Sequence, residues 1–447
     1  MTSFLDEFKA YVAEHGKPDR IELMLCDLNG VLRGKWLPGE GAAKLAKGGV
    51  RLPLSTYAPN IFGEEVPATG LGIVVGDPDG EIRPIPGSLQ RVPWVGGNVA
   101  QVQVVMTDDS GEVSYLCPQA RLQAVLDRFT ARGAHPVVAT ELEFYLLQKR
   151  DSPEAPPVPP TGSPTAQNYD LDVLRRLEHV LKDITDACAT QGLATDTLIA
   201  EYGPGQFEIN FHHTQDVLAA AETALHFKRL VSEIADSHDY EATFMAKPYA
   251  DYPGNGMHAH MSLVDGAGKN LFDAGTDAPS PLLKQAVAGV LATMRDLQAV
   301  FAPHMNSYRR FLPESFAPCA PDWGRDHRGA AVRIPEVSGP GARLEHRICG
   351  ADVNPYLALA GILGGVLYGL ENDPPLPLPL DDPNAKPAQR LTHDWRQAVE
   401  RFAASEAAAD IYTAAYRDVY VAVRRDEIAR MMTEITPAEY RTYLSRL

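Results

Sequence analysis

Thr140-Glu141-Leu142-Glu143-Phe144 sets two glutamates at i and i+2 in a run that otherwise reads as an apolar strand. Residues two apart share one face of a strand, so Glu141 and Glu143 project side by side. Two carboxylates that close repel unless a cation or a proton lies between them. An isolated Glu-x-Glu is usually just the polar face of a half-exposed strand. The rest of the chain changes that balance. Glu201 and Glu208 flank Gly203-Pro204-Gly205, a turn that can return both ends of its segment to one place. Gly254-Asn255-Gly256 then precedes His258 and His260, two imidazoles on one strand face after a glycine-rich approach.

A basic cluster follows. Arg309 and Arg310, Arg328 and Arg333, and Arg343 and Arg347 fall within 39 positions of one another. Arg343, Glu345 and Arg347 alternate and so share a face. Arginine forks pair with both carboxylates and phosphates, so arginines facing an acidic metal site suit a polyphosphate and a carboxylate substrate. Surface salt bridging is the blander explanation, weakened by the density of the cluster inside strand-like segments.

The elements that must position these groups are legible in outline. Ile21–Cys26, the turn Asp27-Leu28-Asn29-Gly30 and Val31–Trp36 form a hairpin signal. Gly72–Val75 and Val102–Met106 add strand-like runs. Helical periodicity covers Gln119–Arg132, then Val173–Ile184 ending at Gly192, then Thr214–Ala235. Ser280-Pro281 is an N-cap with proline at the first helical position. Val137–Leu147 is a strongly apolar strand. Asp151–Gln167 and Pro374–Pro387 are loops, and Asp394–Leu447 is helical. Tyr356–Leu370 is apolar, too short to span a bilayer comfortably, and reads as a core helix. The expected organisation is a small strand-rich domain over 1–110 and a larger α+β domain over 111–447.

Composition narrows the partners. The 447 residues carry a net charge of -17, which disfavours nucleic acid and anionic membrane. Five cysteines without CxxC spacing fit a reducing cytoplasm. The first twenty residues lack the apolar core of a signal peptide.

The motif order is itself informative. ELEF (141–144), EYGPGQFEI (201–209), GNGMHAHMS (254–262), NSYRRF (306–311), RGAAVRIP (328–335), ARLEHR (342–347) and NPYLALAG (354–361) resemble, in sequence, the signature blocks of the glutamine synthetase family. The resemblance implies a β-grasp N-terminal domain and a catalytic domain with a curved antiparallel sheet flanked by helices. It implies Glu143, Glu201 and Glu208 as ligands of one divalent ion and Glu141, His258 and Glu345 as ligands of another, and hard oxygen donors with one imidazole suit Mg²⁺ or Mn²⁺. It implies Arg310 and Arg347, with Gly254, around glutamate and the transferring phosphoryl group. Arg328, Arg333 and Arg343 then surround the nucleotide phosphates, and His260 and Ser262 line the nucleotide. The implied catalytic arginines are Arg310, Arg328 and Arg347. The implied chemistry is ATP-dependent formation of a γ-glutamyl amide through γ-glutamyl phosphate. The implied assembly is a cytoplasmic homo-oligomer, two stacked hexameric rings with sites between subunits.

The sequence also departs from that family. Ammonia-using members carry an Asp-Gly-Ser-Ser segment where this chain has Leu54-Ser55-Thr56-Tyr57-Ala58-Pro59, and a glutamate where it has Phe316. Ammonium needs carboxylates to bind and to lose a proton, whereas an aromatic ring suits an alkyl chain. With EVPATGLG (65–72) and GDPDGEIRPIPGSLQRVPW (76–94), the pattern is similar to the γ-glutamylpolyamine and γ-glutamylamine synthetase branch. A polyamine such as putrescine is the expected nucleophile. Monoamines (ethanolamine, methylamine, isopropylamine), ammonia and an inactive regulatory homologue are the alternatives. Glu64, Glu65 and Glu314 are the acidic residues that could deprotonate the amine. The family's asparagine before GMH falls on Pro253, and Asn255 is its expected substitute.

Overall fold

A computed structural model describes residues 3–108, 110–312 and 315–447. Its described residues form two sheets. The N-terminal sheet has seven strands, built around Arg20–Cys26 and Val99–Thr107 lying parallel at its centre. The expected hairpin is present but broken. Leu32–Arg33 and Trp36–Pro38 both pair antiparallel with Arg20–Cys26. Gly34 separates them, because a Cβ there would lie 1.7 Å from Leu23 O. The turn is held by Asp27 Oδ1, which accepts from Asn29 N and Val31 N.

Gly72–Val75 is not a strand. Ile73–Val75 is a single 3₁₀ turn between left-handed Gly72 and Gly76, and its three side chains are exposed. Aliphatic β-branching favoured a strand, and the glycine conformations at both ends prevented it.

The larger sheet has eight strands. Its order is Trp323–Arg325, Val332–Glu336, Arg343–His346, Met257–Asp265, Ala134–Gln148, Gln206–Phe211 and Thr195–Ala200, with Tyr240–Thr243 also on Ala134–Gln148. All neighbours are antiparallel except the first pair. Along Ala134–Leu142 burial alternates strictly. Val138, Leu142 and Phe144 face the core, where Phe144 meets the edge of Phe227 from helix Val217–Ser237. The alternate set, Val137, Ala139, Glu141 and Glu143, faces the other way.

Helices back this sheet. Pro355–Asn372 is the buried apolar helix, capped by Asn354, which accepts from Tyr356 N and Leu357 N. It packs on Pro281–Met294 through glycine: a Cβ on Gly289 would lie 2.3 Å from Gly365 O. Removing side chains lets the two backbones approach, which accounts for glycines in so apolar a segment. The second expected helix divides into Leu171–Arg176 and Glu178–Thr190. Among the described residues, no helix is long and apolar enough to cross a membrane.

Candidate active site

Strand register assembles the site. Glu208 stands opposite Glu143, and Asn210 opposite Glu141. His258 stands opposite Glu141 on the other neighbour. His260 pairs with Glu345, and Glu345 with Arg333. Directly opposed residues share a sheet face, so five strands deliver their polar groups to one surface. Glu201 joins them from the end of Thr195–Ala200, returned by the Gly203-Pro204-Gly205 turn. All six sequence-assigned metal residues line one cavity of about 400 Å³.

The donor geometry fits divalent metal. Ligand atoms of Glu141, Glu208 and His258 lie within 4.8 Å of one another, as do those of Glu141, His260 and Glu345. A Cβ on Gly256 would fall 3.2 Å from both His258 Nε2 and Arg310 Nη2 and 3.5 Å from Glu143 Oε2. The glycine therefore leaves open the place where these groups converge.

Hydrogen bonds separate the roles of the two histidines. Arg343 Nε donates to His260 Nδ1 at 3.2 Å. Arginine has no acceptor, so neutral His260 carries its proton on Nε2, which lies 2.9 Å from Glu141 Oε1. Both its nitrogens are engaged. His258 Nδ1 lies 3.1 Å from Glu141 Oε2 and 3.9 Å from Glu345 Oε1. With its proton there, Nε2 is left bare beside Gly256, ready to ligate a metal. This ordering favours His258 over His260 as the metal ligand.

The carboxylates split electrostatically. Burial pushes Glu208 up to about 10, aided by the charges of Glu143, Glu141 and Glu201. Burial and Glu143 push Glu201 up to about 7. Burial would raise Glu141 as well, but hydrogen bonds from His258 and His260 hold it well below the usual carboxylate range. Glu345 is also lowered: burial opposes the shift, and the charges of His258, Arg347 and His260 outweigh it. Acids pushed up by their neighbours' charge mark a place made for cations.

The arginines ring this cluster. Arg310 is buried, and its Nη1 donates to Ile348 O at 2.9 Å. Arg347 pairs with Glu345 Oε1. Arg333 bridges Glu345 at 3.1 Å and Asp326 at 2.5 Å. Arg328 lines the same cavity without an ion pair among the described residues, as do Gly254 and Phe316. A second cavity of about 490 Å³ contains His260, Ser262 and Arg343. It shares Glu141, Asn210 and Arg333 with the first. The implied metal ligands, Arg310, Arg328, Arg333, Arg343, Arg347, Gly254, His260 and Ser262 thus fall in one of two cavities that share Glu141, whereas Arg309 lines another.

One expectation fails. Asn255 is buried, donates to Thr243 O and Met245 O, and accepts from Gln206. It is committed to the fold and is not a substitute for the missing asparagine. Glu64 pairs with Arg430, and Glu65 accepts from Ile73 N at 3.0 Å. Neither lines the cavity of its own chain, and Ser55 instead donates to Asp77. Glu314 lies outside the described residues.

The sequence reading also missed residues. Tyr169, Tyr202, Gln206, Asn210 and Lys247 line the first cavity. Tyr202 packs on Phe316, with ring centroids 5.1 Å apart. Tyr169 has φ +68°, an uncommon left-handed conformation for an aromatic residue. Gln167 fastens its loop by donating to Glu201 O and Gln206 O. A tyrosine at the end of a Pro-rich loop gave no signal for this, because the contact is made across sequence.

Comparison with known proteins agrees with this geometry. A family model described as "Glutamine synthetase, catalytic domain" matches residues 115–443. Gamma-glutamylputrescine synthetase of Escherichia coli (strain K12) is 36% identical over 446 residues, 98% of this chain and 94% of that protein. Gamma-glutamylethanolamide synthetase of Streptomyces coelicolor is 36% identical over 306 residues, 67% of this chain and 65% of that protein. A solved GmaS/ADP complex superposes with a TM-score of 0.85 at 29% identity, covering 98% of this chain and 99% of its own.

Proposed function

The chain belongs to the glutamine synthetase family and is an ATP-dependent glutamate–amine ligase, and from that premise we propose that its nucleophile is an organic amine, not ammonia. The observation that carries this reading is Phe316, whose ring packs on Tyr202 at the cavity wall. By the resemblance set out above, ammonia users have a carboxylate at that position. An aromatic pair offers an alkyl chain apolar surface and offers an ammonium cation a π face.

Glu143, Glu201 and Glu208 would hold one divalent ion, and Glu141, His258 and Glu345 a second, with Mg²⁺ or Mn²⁺ suited to this oxygen-rich set. When bound, such ions neutralise charge on phosphate oxygens. The chain's own residues do the positioning. Arg310 and Gly254 hold glutamate. Arg347 and Arg328 face the phosphoryl group, and Arg333 and Arg343 the remaining phosphates. His260 and Ser262 line the nucleotide. The glutamate side-chain carboxylate attacks the γ-phosphorus as the bond to ADP breaks, giving γ-glutamyl phosphate. The lone pair of the neutral amine then attacks the acyl carbon, the acyl C–O bond to phosphate breaks, and the departing phosphate takes up the proton that the nitrogen loses. Tyr169, Tyr202 and Phe316 line the cavity in which that intermediate forms, and all three are exposed in the isolated chain.

A diamine such as putrescine is the narrower reading, supported by full-length likeness to gamma-glutamylputrescine synthetase. One observation favours a monoamine instead. Each carboxylate among the cavity's described lining residues belongs to the metal set, and Lys247 adds positive charge, so none of them is left over for a second ammonium. The assembly we propose is a homo-oligomer whose sites are completed by a neighbouring N-terminal domain. A monomer in sedimentation of active enzyme would contradict it.

The deciding test is phosphate release from ATP with Mg²⁺ and glutamate, across ammonium, putrescine, spermidine, ethanolamine, methylamine and isopropylamine. An organic amine should exceed ammonium by orders of magnitude in kcat/KM. Ammonium winning would overturn the reading of Phe316.

A further inference from the structure

Near Arg310 lies a half-buried carboxylate that the proposed chemistry does not use. Asp352 follows strand Arg343–His346, in the loop that leads to the Asn354 cap. Its Oδ2 accepts from Ser307 Oγ at 2.6 Å. Its Oδ1 is buried with no hydrogen-bond partner among the described residues. Gly350 makes the space, since a Cβ there would stand 2.2 Å from that oxygen.

A half-satisfied carboxylate with a buried oxygen is costly unless opposite charge faces it. Two cations do. Lys228, on helix Val217–Ser237, lies in the field of Asp352 and donates its Nζ to Val353 O at 2.8 Å, in the same loop. Arg310 is the other, 4% exposed and set between two carboxylates, Glu143 on the cavity side as the stronger charge and Asp352 as the next. Lys228 is anchored away from the cavity, whereas Arg310 reaches into it.

The same loop holds Arg310 mechanically at two points. Arg310 Nη1 donates to Ile348 O. Ser307, three residues before it in the 3₁₀ turn Met305–Arg310, is tied to Asp352 and also accepts from His304 N at 3.0 Å. Arg310 Nε has no hydrogen-bond partner among the described residues, so the Ile348 contact is the fixed point of its guanidinium there.

We propose that Asp352 is a positioning residue for substrate binding: it clamps the Met305–Arg310 turn through Ser307 and serves as the counter-charge that orients Arg310 into the cavity. This rests on the glutamate-binding role proposed for Arg310. The test is steady-state kinetics of the full-length enzyme, varying glutamate, ATP and amine in turn. Asp352→Asn keeps an acceptor for Ser307 and removes the charge. It should raise the glutamate KM roughly tenfold while leaving the ATP KM within about twofold. Arg310→Met should raise the glutamate KM further, and the double variant should add little beyond Arg310→Met alone. Ser307→Ala keeps the charge and removes the clamp, so it should raise the glutamate KM by a few-fold, roughly. It serves as the test if Asp352→Asn does not fold. An unchanged glutamate KM in Asp352→Asn, with Arg310→Met raising it, would reduce Asp352 to packing and overturn the inference alone. An unchanged glutamate KM in Arg310→Met would overturn the Arg310 reading and this one together.

Discussion

Glu208 stands directly across from Glu143 on the neighbouring strand, and both carboxylates open into one cavity. Without a cation this pairing opposes folding, because burial and like charge push Glu208 up to about 10. The site is stable when something positive fills it.

Metal binding should therefore show in stability as well as activity. Saturating Mg²⁺ or Mn²⁺ should raise Tm over chelator-treated protein, since at 100 times Kd a ligand adds about 2.7 kcal/mol. Glu208→Gln should raise the Tm of the metal-free protein by relieving repulsion, and should abolish both the metal-induced rise and ligase turnover. Thermal unfolding with and without chelator checks all three. A metal-free Tm that falls in Glu208→Gln would show that the carboxylate is held by contacts other than an ion.

A second titration lies outside the site. Glu222 accepts from Gln119 Nε2 at 3.0 Å, and burial pushes it up to about 7 from an ordinary 4.5, with Asp216 adding to the shift. Below about pH 4.5 folded and unfolded chains are both protonated there. Between that value and about 7 only the folded chain keeps the proton, so stability is lost as pH rises, and the loss is complete above it. Glu222→Gln should thus stabilise the protein at pH 8 by on the order of 1–3 kcal/mol and do little near pH 4.5. Melting curves at the two pH values, with metal present in both, decide it. Equal effects at both would mean that Glu222 titrates alike in the folded and unfolded chains.

The two residues Glu141 and Glu143 show how far sequence alone reached. Period-two alternation put them on one face, and the strand delivers them there. Which strands lie beside them was not legible, because Met257–Asp265 and Gln206–Phe211 flank Ala134–Gln148 from more than fifty residues away. The motif resemblance supplied that adjacency, and register then accounts for it pair by pair. Where the reading failed, long-range contacts decided. Asn255 looked free to meet substrate, but its amide is spent on Thr243 and Met245 backbone. Tyr169 gave no signal, because its position depends on Gln167 reaching Glu201 and Gln206. Ile73–Val75 had strand propensity and no partner strand.

Arg343 and His260 make a discriminating pair for the nucleotide side. Arg343 fixes the tautomer of His260, which in turn donates to Glu141. Arg343→Ala should raise the ATP KM roughly tenfold with little change in the glutamate KM. Arg343→Lys keeps the charge but loses the planar fork, so it should recover only part of the loss. Separate KM values for ATP and glutamate check this. Equal rises in both would place Arg343 on the shared metal cluster, not on the nucleotide.

Phe316 carries the strongest claim about specificity, and its exposure makes it safe to change. It is 67% exposed in the isolated chain and touches Tyr202, so truncating it removes little from the core. If its ring contacts the carbon chain of the amine, Phe316→Ala should lower kcat/KM for the preferred amine roughly tenfold, the scale of one lost apolar contact of about 1.5 kcal/mol. The glutamate and ATP KM values should hold, because Arg310 and Arg343 are untouched. Phe316→Glu should go further: it adds a carboxylate to the wall of the cavity that Glu201 also lines, so activity with ammonium should rise relative to the organic amine. The measurement is the ratio of kcat/KM for ammonium to that for the amine in wild type and both variants. A ratio that stays constant while all rates fall together would assign Phe316 to closing the site and leave amine choice to other residues.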